Sequence, residues 1–391
     1  MEHPARLPGR SRGLHEGSDI DASAFLPSVG ALRAVMICVD FPDAPAAEAP
    51  EGYQDLRPYH DWLIPGSRDW FRQASYGRLD LQVEPPTRWL RMHGSHRDYG
   101  FARGIDFETH ARYIEEAVGL VAGAIDFSAH PLVFIVPARN AEGIRFSPTF
   151  IDRRGGRVNV GGRAIRHAVT FGHDAWRWGF KVVNHETLHT LGLPDLYAFA
   201  PPGDPPNPHP YVGGWDLMGL IAGHAPDLFA WHKWKLGWLE DAQVDAVTGA
   251  GTTRHRLSPV ALPGGTKMAV VPTGETTALV VESRRPVGVD AGARDQGALV
   301  YTVDSAVRTG YGPLRVVVPT PERTDPDAAC LGLGDGRSAA YADPGRGLRV
   351  EVLAQDGGGD VVEITRASWG GSWTTGGGMS ERDPDRAAVG P

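Results

Sequence analysis

Cysteine is almost missing from this chain of 391 residues: Cys38 and Cys330 are the only two. That scarcity excludes a fold stapled by a disulfide framework. Cys38 lies inside an apolar run and Cys330 in a loop of another region, so two unpaired thiols are expected. Long apolar runs are missing too, and no segment reaches the roughly 20 residues needed to cross a bilayer as a helix. An excess of basic charge is also absent. A net charge of −8 leaves no footprint for nucleic acid or an anionic membrane surface. Arg6, Arg10 and Arg12 occur within Met1 to Ser28, but no apolar stretch follows them, so a secretory signal of the usual kind is not read there. Nor is a long pro-region apparent ahead of the first apolar strand. Internal repeats are not evident.

What is present suits a globular enzyme in two parts. Hydrophobic residues make up 41% of the chain, enough to exclude wholesale disorder. A length of 391 residues exceeds what one core usually serves.

The most informative stretch is His185 to Asp195, HETLHTLGLPD. Histidines four apart on a helix lie about 40° apart around its axis, so His185 and His189 share a face. Neutral imidazoles at that spacing can each give one nitrogen to a single zinc ion. Glu186 lies beside His185, placed to act on water at the metal without being a ligand. Gly192 can leave the helix with positive φ, which lets the chain turn and return Asp195 as a carboxylate ligand. Three protein ligands with a fourth position open describe a catalytic zinc site rather than a structural one. A bare H-E-x-x-H arises easily by coincidence; Gly192 and Asp195 at their spacings cut that chance by roughly a hundredfold. The bland alternative, a solvated helix face, conflicts with the apolar Phe180, Val182, Val183, Leu188 and Leu191 around it. A helix of about 14 residues beginning near Arg177 is expected.

Downstream, Gly213 to Gly219 reads GGWDLMG, a tight turn carrying Met218. An extended histidine motif followed by a methionine turn is the pattern of the metzincin proteases, in which the methionine forms a floor beneath the metal. Together, HETLHTLGLPDLY, GGWDLMG and APDLFAWHKWKLGWL resemble the M6 family of metallopeptidases, the immune-inhibitor-A-like proteases. The likeness extends to Val39-Asp40-Phe41-Pro42-Asp43, to Trp70 through Gly77, and to Val281–Arg285 and Gly297–Asp304. It covers about residues 30 to 365.

The resemblance implies a zinc endopeptidase, usually exported and often stabilised by structural calcium. It carries the metal ligands onto His185, His189 and Asp195, the general base onto Glu186, and the methionine turn onto Met218. It implies protein or peptide substrates. In such a site the metal brings the pKa of its water toward neutrality and polarises the carbonyl, while Glu186 takes the proton and passes it to the leaving amine. Tyr197, Tyr211 and His224 are nearby candidates for a further oxyanion donor, though packing or solvated roles are favoured for each.

The expected fold is α+β: a metzincin-like catalytic domain over residues 29–244, then an all-β, sandwich-like domain over 245–366. Residues 1–28 are read as a flexible arm and 367–391 as a disordered tail. Strands are expected at 32–41, 78–84, 131–136 and 168–171, and helices at 60–74 and 106–123, the latter capped by Asp106. A last helix spans 226–236, with Phe229, Trp231, Trp234 and Trp238 spaced as core rather than as a binding platform. Six β runs between 268 and 364, separated by Gly, Pro and Asp turns, mark the second domain. Glu282 and Asp304 are read as partners of Arg284 and Arg285 in preference to calcium ligands. The proline-dense loop 198–210 reads equally as a cleft wall or a surface connector.

Two other functions fit parts of this pattern. One is an exoprotein that binds carbohydrate or protein through the β domain and keeps a vestigial zinc site. A vestigial site tends to lose Glu186 or a ligand first, and here all are present. The other is a zinc hydrolase acting on something other than peptide.

Overall fold

The fold is that of a computed structural model, which describes residues 3–9, 13–204, 206–224, 226–319 and 325–368. It is mixed α/β with more strand than helix, spread over several sheets. Two compact units divide the chain. One is Asp21–Gly192; the other joins the described parts of Met1–Ile20 to those from Leu193 onward. The tail expected to be disordered lies outside the described residues from 369 on.

In the first unit, β1 (Gly30–Asp40) is flanked by β2 (Leu79–Glu84) and, at its far end, by β3 (Trp89–Arg91). β4 (Leu132–Pro137) and β8 (His167–Thr170) extend the sheet in parallel, and β5 (Thr149–Ile151) closes it antiparallel to β8. A small ribbon, β6 (Asn159–Val160) with β7 (Arg163–Ala164), stands apart. β4 is buried at every residue, as parallel strands covered on both faces are.

Helix α1 (Arg57–Ala74) has a proline in its first turn, and α2 (Phe107–Gly119) is capped by Asp106, whose carboxylate accepts from Thr109 N–H at 2.9 Å. Tyr113, Ile114, Ala117 and Val118 of α2 join Val35, Ile37, Val133 and Ile135 in one core. Two further helices follow, α3 (Asp174–Trp178) and α4 (Phe180–Thr190). The single helix expected from near Arg177 is thus two. Gly179, at φ 59° and ψ −136°, breaks the ladder between them.

In the second unit, α5 (Ala230–Lys235) precedes β9 (Val244–Ala246), β10 (Gly251–Leu257), β11 (Met268–Pro272), β12 (Thr277–Arg284), β13 (Gly297–Asp304), β14 (Leu314–Val316), β15 (Ala340–Asp343), β16 (Leu348–Asp356) and β17 (Gly359–Arg366). They form two sheets, ordered β14-β13-β12-β11-β9 and β10-β17-β16-β15. Leu279, Val281 and Val300 from one sheet and Val350, Val352 and Ile364 from the other share a single core. α5 is shorter than expected because Phe229 is extended (ψ 149°) and the chain before it is held by side chains. Phe229, Trp231, Trp234 and Trp238 are all buried, as core spacing implied.

The compact units meet in sequence at Gly192/Leu193. Composition turns β-rich only after 244, but the preceding segment already packs on the second unit. Glu282 of β12 accepts from Ala230 N–H at 2.8 Å, and Arg284 donates to Trp215 O at 2.9 Å. Glu282 is paired with Arg284 at 2.9 Å, as expected, whereas Arg285 pairs with Asp360 at 2.8 Å and not with Asp304.

The N-terminal segment is tied in by side chains as well. Its described residues pack on the second unit, with Ala5, Leu7, Leu14 and Glu16 buried. Ser305 donates to Pro8 O at 2.6 Å, and Trp231 donates to Glu16 O at 3.1 Å. A few apolar residues scattered through polar sequence anchor it without the periodicity that marks an element.

Candidate metal centre

α4 is buried at every residue from Val182 to Thr190. Its close neighbour is α1. At Gly66 a Cβ atom would lie 2.7 Å from the Phe180 ring, so glycine there permits the approach of the two helices. Ser67 Oγ donates to Asn184 Oδ1 across the same contact. The helix ends at Leu191, and Gly192 follows at φ 98°, a conformation that L side chains rarely adopt.

His185 and His189 project from one face, with ring centroids 4.9 Å apart and planes at 89°. Both are almost completely buried, as are Glu186 and Asp195. One ligand atom from each of His185, His189 and Asp195 lies within 4.8 Å of the others. Among the described residues this is the one trio of metal-ligating side chains so arranged. Two imidazoles and a carboxylate form a donor set that suits zinc, and a neutral imidazole loses less than a charged group by burial. The residues present therefore fit a metal ion.

Glu186 is oriented by a residue that carries no sequence signal. Thr149 on β5 donates through Oγ1 to Glu186 Oε2 at 2.7 Å and also lies 2.9 Å from the Glu186 carbonyl oxygen. Glu186 Oε1 stands 4.0 Å from His185 Nε2. The carboxylate is thus beside the first histidine and turned by a threonine from the edge strand.

Asp195 begins a segment held on several sides within the second unit. Leu196 N–H donates to Met218 O at 2.9 Å, tying the residue after the carboxylate to the methionine turn. Met218 is buried, and its own N–H donates to Asp216 Oδ1 at 2.8 Å. Asp216 Oδ2 accepts from Phe229 N–H at 2.8 Å and contacts His232 Nδ1 at 2.9 Å. His232 Nε2 in turn meets Glu16 Oε1 at 2.9 Å. A buried Glu16–His232–Asp216 chain therefore underlies the turn. Burial opposes the charge on His232, but the two carboxylates outweigh it and raise its pKa from 6.5 to about 10.

The three candidate oxyanion donors fare differently. Tyr197 is buried and packs on Phe199, Tyr211 lies beneath the Arg315 guanidinium at 4.3 Å, and His224 is exposed. The loop 198–210 is mostly exposed over its described residues. A cavity of about 480 Å³ opens in the β-rich part, lined by Arg285, Gln296, Arg337 and Asp356 among others. Its cations are already engaged, Arg285 with Asp360 and Arg337 with Asp295. It includes none of the metal-site residues. Cys38 and Cys330 are free and buried, and burial pushes both thiols up.

The chain matches no protein-family model and no curated protein.

Proposed function

We propose that this protein is a zinc-dependent endopeptidase of the metzincin kind, with a catalytic region over residues 29–244 and a sandwich-like β region following it in sequence. The observation that carries the reading is the buried trio of His185, His189 and Asp195 with Glu186 beside it, its carboxylate turned by Thr149. His185, His189 and Asp195 would hold the metal. Zinc bound there supplies Lewis acidity toward a carbonyl oxygen and makes a coordinated water acidic near neutral pH.

Glu186 accepts the proton of the attacking water and then delivers it to the leaving amine. Thr149 holds one carboxylate oxygen of Glu186 through a hydrogen bond, which favours an orientation suited to proton transfer. Burial of the whole set keeps bulk water from competing at the reacting centre. Substrates on this reading are proteins or peptides.

The test is hydrolysis of an unfolded protein by the wild-type chain and by Glu186→Gln, each with chelator and with zinc restored. Cleavage that is lost with chelator, restored by zinc and absent in the variant is the expected result. Cleavage that survives both chelation and Glu186→Gln would overturn the proposal.

A further inference from the structure

The third ligand is gripped from a part of the chain that its motif does not reach. Asp195 N–H donates to Thr309 Oγ1 at 2.9 Å. The Asp195 carbonyl accepts from Gly310 N–H at 3.2 Å. Two residues of the loop between β13 and β14 therefore clamp both polar groups of one peptide position. The clamp continues along the chain, since Phe199 N–H donates to Gly310 O at 3.0 Å. Gly310 has φ 74°, and a Cβ there would lie 2.3 Å from the Phe199 ring, so a glycine lets the two backbones approach.

Asp195 has no helix to hold it. It follows the Gly192 turn in irregular chain, and a carboxylate on irregular chain has a defined direction only if its backbone is fixed from outside. Leu196 to Met218 supplies one fixing point; Thr309 and Gly310 supply two more.

We propose that Thr309 is a positioning residue for the metal: through the Asp195 backbone it sets the direction of the third ligand, so the β13–β14 loop tunes zinc affinity. This rests on the zinc reading above. Thr309 does not touch the metal in this account. It is also distinct from the structural role of the β sheets, because a hydroxyl facing one peptide N–H adds little to a core of fourteen buried residues.

The experiment measures the zinc dissociation constant by competition with a chromophoric chelator for wild type, Thr309→Val, Thr309→Ser and Asp195→Ala, with thermal midpoints of the metal-free proteins alongside. Valine keeps the shape and removes the acceptor; serine restores it. Thr309→Val is expected to bind zinc more weakly by about tenfold or more, the usual effect of losing a partner of a metal ligand. Thr309→Ser is expected to stay within about threefold of wild type, with metal-free midpoints unchanged across the two.

Wild-type affinity in Thr309→Val, beside a large loss in Asp195→Ala, would overturn the positioning role and leave the zinc reading standing. Undiminished affinity in Asp195→Ala removes the ligand and the proposal with it. A wild-type chain that takes up no zinc overturns both readings. If Thr309→Val is too unstable to assay, the comparison of Thr309→Ser with Thr309→Ala decides the question on the same scale.

Discussion

Thr149 Oγ1 lies 2.7 Å from Glu186 Oε2, with both residues buried. The pairing joins the edge strand β5 to α4 across 37 residues of sequence. It separates two contributions that the motif alone merges: the presence of a carboxylate and its orientation. Glu186→Gln is expected to lower kcat about a thousandfold with zinc retained. Thr149→Val should lower kcat about tenfold, again with zinc retained. Steady-state kinetics with metal analysis reads both, and a Thr149→Val enzyme with wild-type kcat would remove the orienting role.

Gly192 turns the chain out of α4 at φ 98°. A Cβ in that conformation costs strain, so Gly192→Ala should destabilise the protein by about 1–2 kcal/mol. Because Asp195 follows three residues later, zinc affinity should fall along with stability. Denaturant unfolding and zinc titration of the same variant check the two together. A variant as stable as wild type would mean that the turn tolerates a side chain.

Much of this was legible locally, and what was not is long-range. His185, Glu186, His189 and Asp195 could be read because helix periodicity and one glycine bring near neighbours together. The same holds for the Asp106 cap and the buried tryptophans of α5. Thr149 is different: β5 is only three residues long, and its partner lies far along the chain. Thr309 meets Asp195 across 114 residues, and Glu16 meets His232 across 216. A hydroxyl or a carboxylate in a polar stretch looks solvated until the fold supplies its partner. The compact units likewise follow contacts that composition does not carry. Composition changes where strands begin to dominate, but the methionine turn had already packed on the second unit through Glu282 and Arg284.

Metal removal should register in stability as well as in activity. A ligand that binds only the folded state stabilises it in proportion to the logarithm of its excess over Kd, about 2.7 kcal/mol at a hundredfold excess. The zinc-loaded wild type should therefore melt higher than the chelated protein. Asp195→Ala should show a much smaller difference at the same zinc concentration. Equal midpoints for wild type with and without chelator, confirmed by metal analysis of both samples, would argue against an occupied site.

The Glu16–His232–Asp216 chain gives the last prediction, a dependence of stability on pH. Breaking a buried charged contact by removing one partner is costly, and Glu16→Gln should destabilise the fold at pH 7 by about 3 kcal/mol. His232 holds its proton more tightly in the folded state, with a pKa of about 10 against 6.5 for a free side chain. A group raised in this way adds stability fully below pH 6.5; that contribution shrinks as pH rises and is gone above about 10. Above that pH, Glu16 and Asp216 would face each other across a neutral ring, so the native carboxylate no longer helps. The advantage of wild type over Glu16→Gln should thus narrow steadily between pH 7 and pH 10 in denaturant unfolding. Comparing the two proteins at each pH cancels the titration of Lys233, whose pKa burial lowers; Lys235, lowered by burial but raised by the charge of Glu16, does not cancel, so the pair is compared again on a Lys235→Met background. An advantage that stays constant across this range would show that Glu16 acts by packing alone, and that the N-terminal segment is held without help from the charge on His232.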